Sequence, residues 1–176
     1  MSGDTRDRIL QAARDLFTAR TYGATSMREI AERVGITKPS MYHHFSNKAE
    51  ILDSLVRPPI DELHDVLLNP ATPKDVLSGC ITVMLKHRET MTLLLRDASV
   101  YGEESTKTMT EMLDIVNQAT ELLAPPKPDW QDRLRAAQAF AAATDPISFF
   151  PNVPQKELHD ALLDGALALL SARRDD

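Results

Sequence analysis

Between Thr25 and Lys48 the chain gathers hydroxyl, guanidinium, ammonium, phenol and imidazole groups at spacings suited to hydrogen bonding with phosphates and base edges. Lys38, Ser40, Tyr42 and His43, with His44 beside them, supply donors along one short segment, while Met41 and Phe45, four residues apart, share the opposite side. Such a segment can sit on a core through its apolar face and offer its polar face to an anionic polymer. Arg28 lies upstream of this group and Lys48 downstream. Bond-breaking chemistry has no comparable support. The chain carries no Gly-rich phosphate loop, no G-x-S-x-G, no H-E-x-x-H and no Cys/His nucleophile pattern, so it reads as a non-enzyme without a cofactor.

The elements that must position these groups follow from the residues around them. Thr25 or Ser26 can accept a hydrogen bond from a free first-turn amide, and Glu29, three residues after Ser26, completes a capping box. Ile30, Ala31 and Val34 then recur at helical spacing, and Gly35 suits the left-handed position that ends a helix in a tight reversal. Thr37 can cap a second helix, with Pro39 tolerated in its first turn. Ala31, Gly35 and Met41 have the spacing of a helix-turn-helix: a small residue at the crossing, the turn glycine, an apolar anchor. Ser46 or Asn47 can cap a further helix that begins near Lys48, and an amphipathic helix over residues 5–20, with Ile9, Ala12, Ala13, Leu16 and Phe17 on one stripe, would cover the motif from behind.

The run Ile30-Ala31, Gly35-Ile36-Thr37, Met41-Tyr42-His43-His44-Phe45, Asn47-Lys48 and Leu52 resembles the N-terminal domain of the TetR family of bacterial transcriptional repressors, over about residues 5–57. The resemblance implies that Thr25, Ser26 and Arg28 touch DNA from the first helix of the motif. It implies the same of Thr37, Lys38, Pro39, Ser40, Tyr42 and His43 on the recognition helix, and a phosphate contact for Lys48. Two positions depart from the family: Ala49 stands where an acidic residue is usual, and Pro58-Pro59 interrupts what is usually a continuous linking helix.

The net charge of −6 becomes informative once divided. Residues 1–57 hold nine Lys/Arg against seven Asp/Glu, and residues 58–176 hold eleven against nineteen. An acidic body repels DNA, so docking is confined to the N-terminal face. No apolar run approaches the ~20 residues of a membrane span, and the start MSGDTRDR lacks the apolar core of a signal peptide, so the cytoplasm is the expected location. The single cysteine, Cys80, cannot form an internal disulfide and reads as a buried, inert thiol. Asp61-His64-Asp65 and Glu157-His159-Asp160 lack the ligand set of a metal site and read as solvated helix surface.

The pattern predicts an all-α chain of two domains: residues 1–57 for DNA binding, and residues 58–176 as a helical body for effector binding and dimerisation. In that body Met84, Met91, Met109 and Met112 are adaptable apolar residues, and His87, Tyr101, Asn117 and Phe140 could complete a small-molecule pocket. The last two helical segments, Trp130–Thr144 and the stretch from Pro154 to Arg173, are rich in Ala, Gly and Leu and suit close approach across a twofold axis. In the family resembled, such helices form a four-helix dimer interface. The chain thus reads as a homodimer that binds a palindromic double-stranded operator and is released by a small-molecule effector. The alternative is a weakly specific, architectural DNA binder without an effector.

Overall fold

The computed structural model describes residues 2–101 and 106–172, with side chains except at 2, 3, 101 and 106–109. The fold is all-α, and no strand occurs among the described residues. The helices are α1 (Ser2–Arg20), α2 (Met27–Val34), α3 (Lys38–His44), α4 (Lys48–Leu68), α5 (Pro73–Lys86), α6 (Arg88–Arg96), α7 (Thr106–Leu123), α8 (Trp130–Thr144) and α9 (Gln155–Ser171). Short 3-10 turns follow α6 and α8, at Ala98–Tyr101 and Asp145–Ser148.

Contacts divide the chain into two compact units. One comprises Met1–Pro58 with Glu89–Met109, the other Pro59–Arg88 with Thr110–Asp176. In the first, Ile9, Ala13 and Phe17 of α1 are buried together with Ile30 and Val34 of α2, Met41 of α3 and Phe45 after it. Met91 and Leu94 of α6 are buried in this unit too. In the second, α9 packs on α5 and α8, and Val76, Leu77, Cys80 and Ile81 of α5 are buried with Ala139, Ala143 and Ala166. Burial pushes the Cys80 thiol up to about 12, which leaves almost no thiolate at neutral pH. Arg88 donates to the carbonyls of Ile147 (3.1 Å), Pro151 (3.2 Å) and Phe150, closing the loop between α8 and α9.

Pro58-Pro59 does not interrupt the linking helix. α4 runs without a break from Lys48 to Leu68, although two consecutive prolines remove two ladder donors and each disfavours a helical residue before it. The reason is burial on both sides of the pair: Leu55, Val56, Ile60 and Leu63 are all nearly inaccessible, and their packing outweighs the local preference. The charge missing at Ala49 is supplied next door. Asn47 Oδ1 accepts from the Glu50 amide at 2.8 Å, and the Glu50 carboxylate accepts from the Ser46 amide at 2.7 Å, so the start of α4 is capped and carries an acid.

Candidate nucleic-acid interface

Local chemistry shapes the motif before any long-range contact does. Ser26 is the N-cap of α2: its hydroxyl accepts from the Glu29 amide at 3.2 Å, and the Glu29 carboxylate accepts from the Ser26 amide at 2.8 Å. The Ser26 hydroxyl, more than its amide or Arg20, holds the Glu29 carboxyl below its ordinary value. Arg20 adds an ion pair to Glu29 at 2.9 Å. Gly35 closes α2 at φ 76°, where any other residue is strained, and its amide donates to the Ala31 and Glu32 carbonyls. Arg8 of α1 caps the same end by donating to the Val34 carbonyl at 2.7 Å. Thr37 then caps α3, accepting from the Ser40 amide at 3.3 Å, with Pro39 in the first turn.

These caps leave α3 two-faced. Met41 is fully buried, while Lys38, Pro39, Tyr42 and His43 are exposed and Ser40 and His44 half-buried. Tyr42 keeps 46% of its surface accessible, which is high for an aromatic side chain without a partner to cover it. The Lys38 ammonium lies 5.9 Å from the Tyr42 ring, so charge and π-face sit side by side on the open surface. Ser26, Arg28 and Thr37 are also exposed, and Arg28 pairs with Glu32 at 2.7 Å.

Two of the expected contact residues face elsewhere. Thr25 is only 3% exposed and its hydroxyl donates to the Thr21 carbonyl at 2.9 Å, so its side chain serves the turn before α2. The Lys48 ammonium donates to the carbonyls of Tyr22 (2.7 Å) and Thr25 (2.8 Å) and lies 4.3 Å from the Tyr22 ring. A phosphate reached by Lys48 would share an ammonium already engaged twice.

The residues expected to line an effector pocket are distributed differently from one another. Met84, Met91 and Phe140 are buried, Met112 is half-buried and Asn117 is exposed. His87 meets Glu62 at 3.0 Å, and Lys86 meets the same carboxylate at 2.8 Å. Met91 belongs to the first unit and the other five to the second. The side chains of Tyr101 and Met109 lie outside the described residues. The second unit holds a cavity of ≈620 Å³ lined by other residues, among them Leu123, Leu167, Leu170, Lys74 and Arg135. No group of three His, Cys, Asp or Glu among the described residues is placed to hold a metal ion, and no helix among them is long and apolar enough to cross a membrane.

Residues 9–55, which contain the capped motif, match the family described as bacterial regulatory proteins, tetR family. Over this segment the chain is similar to the TetR family. Among TetR-family relatives it is 29% identical over 133 residues to the HTH-type transcriptional repressor KstR2 of Mycobacterium tuberculosis, covering 66% of each chain. It is 36% identical over 84 residues to the probable HTH-type transcriptional regulator ArpR of Pseudomonas putida, covering 47% of this chain and 40% of that one. The chain therefore spans about two thirds of the first relative's length and less than half of the second's. The fold matches a transcriptional regulator from Aquifex aeolicus VF5 with a TM-score of 0.75 at 19% identity, over 94% of this chain and 99% of that one.

Proposed function

We propose that this chain is a homodimeric, sequence-reading transcriptional repressor of the TetR family that releases a palindromic operator when a small molecule binds its body. The observation that carries the reading is the two-faced α3: a helix anchored by Met41 that exposes Lys38, Tyr42 and His43 together. Lys38 and Tyr42 can donate to base edges or phosphates, Tyr42 and His43 can pack against base methyls, and the α2 face contributes Ser26 and Arg28. The family's repressors, KstR2 among them, support the direction of regulation.

Dimerisation has its own support. Trp130 (71% exposed), Leu134 (49%) and Ala137 form an open apolar stripe on α8, and Ala161, Gly165, Ala168 and Leu169 form one on α9. Small residues let two such surfaces approach closely, and a twofold pair would present two α3 helices to successive major grooves about 34–36 Å apart. The ≈620 Å³ cavity lies within the usual range of small-molecule sites, with apolar walls and three charged residues, Lys74 and an Arg135 that pairs with Asp132 at 3.4 Å. It suits an apolar effector that carries a hydrogen-bond acceptor.

Selection of genomic fragments at near-physiological salt tests the reading. One enriched palindrome with half-sites a helical turn apart is the expected result; enrichment of unrelated fragments would replace it with the architectural alternative. Lys38→Ala and Tyr42→Ala should each weaken the selected site by about 10- to 100-fold while leaving the melting temperature unchanged.

A further inference from the structure

The turn that launches α2 is held from two sides by residues distant in sequence. Past the end of α1, the Tyr22 amide donates to Oδ2 of Asp97 at 2.5 Å and the Gly23 amide donates to Oγ of Ser99 at 2.8 Å. Ser99 is fixed in turn, since its amide and hydroxyl donate to Oδ1 of Asp97 at 3.0 and 2.6 Å. On the carbonyl side, Lys48 holds Tyr22 and Thr25. The Tyr22 ring is clamped edge-on against Phe17, with centroids 5.2 Å apart, and lies under the Lys48 ammonium.

This turn needs outside support. Thr21 has φ 107°, a left-handed conformation that a β-branched residue avoids unless its surroundings impose it. A side chain at Gly23 would press on Ser99, since a Cβ there would lie 3.0 Å from the Ser99 Cβ and 3.1 Å from its Oγ. Three residues after Gly23, Ser26 caps α2, and Arg28 follows two residues later, in the first turn. A shift of the turn therefore shifts the start of α2, whereas Ile9, Ala13, Ile30 and Val34, buried between α1 and α2, make none of these polar bonds.

We propose that Asp97 and Ser99 are positioning residues for DNA binding: they set the Thr21–Thr25 turn, and with it Ser26 and Arg28, without touching DNA. The proposal rests on the regulator reading above. Hydrogen exchange at the Tyr22 and Gly23 amides reports the bonds directly. The ratio of specific to non-specific DNA affinity reports positioning, because a misplaced reading head still meets phosphates but loses base contacts.

The test uses the full-length protein carrying Ser99→Ala, Asp97→Ala or Ser99→Thr. Ser99→Ala should speed exchange at Gly23 and lower affinity for the selected palindrome by about tenfold, the scale of one or two lost hydrogen bonds. Binding to a scrambled duplex should stay unchanged. Asp97→Ala should expose both amides with a larger loss, and Ser99→Thr, which keeps the hydroxyl, should restore binding. Faster exchange with unchanged specific affinity would overturn the proposal, as would specific and non-specific binding falling together with the melting temperature. If the unsubstituted protein prefers no sequence, the regulator reading fails and takes this proposal with it, an outcome distinct from loss confined to the variants.

Discussion

Gly79, in the middle of α5, tests whether the packing of α5 against α4 is as tight as the structure shows. Helix propensity alone predicts that Gly79→Ala stabilises the protein by about 1 kcal/mol, because glycine gains the most backbone freedom on unfolding. Here a Cβ would lie 2.6 Å from Cγ1 of Val66, 3.1 Å from Cγ2 and 3.4 Å from its Cβ. A helical valine strongly prefers one χ1 rotamer and its Cβ stays put on rotation, so the side chain must leave that rotamer or the backbone must give. Overpacking of this kind costs about 1–3 kcal/mol, so the net expectation is a loss of about 1 kcal/mol. In a Val66→Ala background the obstacle is gone and the propensity term should appear as a gain of about 1 kcal/mol. The two backgrounds then differ by about 2 kcal/mol, a coupling well above the ~0.5 kcal/mol tolerance of additive sites. Urea unfolding of the four proteins at one fixed protein concentration measures this, concentration being held because an oligomer's stability depends on it. Stabilisation by Gly79→Ala in the parent, or an equal effect in both backgrounds, would refute the packing argument.

Three further outcomes follow from the same structure. If α8 carries the proposed dimer interface, Leu134→Glu, on its open stripe, should leave a monomer in sedimentation experiments with little change in far-ultraviolet circular dichroism, because about half of that residue is already accessible in the single chain. Burial pulls the Asp97 carboxyl upward, but hydrogen bonds from the Ser99 hydroxyl and the Tyr22 and Ser99 amides, with the Lys48 charge, outweigh it and leave the group below its ordinary value. A lowered carboxylate contributes stability above its unfolded pKa, about 3.9, and loses it as pH falls through the folded value. Asp97→Asn should therefore flatten the acid limb of a stability-against-pH profile below about pH 4 and leave the neutral-to-basic slope alone. Cys80, with its thiol near 12, should resist a thiol reagent at pH 8 in the native protein and react at once in denaturant; equal rates in the two states would contradict its burial.

Much of the motif was legible from residue types because the interactions that build it are local. The capping box of Ser26 and Glu29, the left-handed Gly35 and the Thr37 cap each join groups within four residues, so spacing alone suffices to read them. The expected span Trp130–Thr144 coincides with α8, and the structure adds its cap, the Asp129 carboxylate accepting from the Asp132 amide at 2.9 Å. The pocket residues were not legible, since a buried methionine such as Met84 and a cavity-lining leucine such as Leu167 follow the same helical period.

By itself, then, the order of residues determined that the chain is helical, that a turn of the helix-turn-helix kind lies at Gly35, and that α3 has one apolar and one donor-bearing face. Only the tertiary structure decided that α4 stays whole through Pro58-Pro59, that Thr25 turns inward, and that the Lys48 ammonium closes on Tyr22 and Thr25. It alone brought Asp97 to Tyr22 across 75 residues and placed Glu89–Met109 with the N-terminal helices. Hydrogen bonds between neighbours are written in spacing; burial, and polar pairings across long stretches of chain, exist only once the apolar faces have packed and water has been excluded from between them.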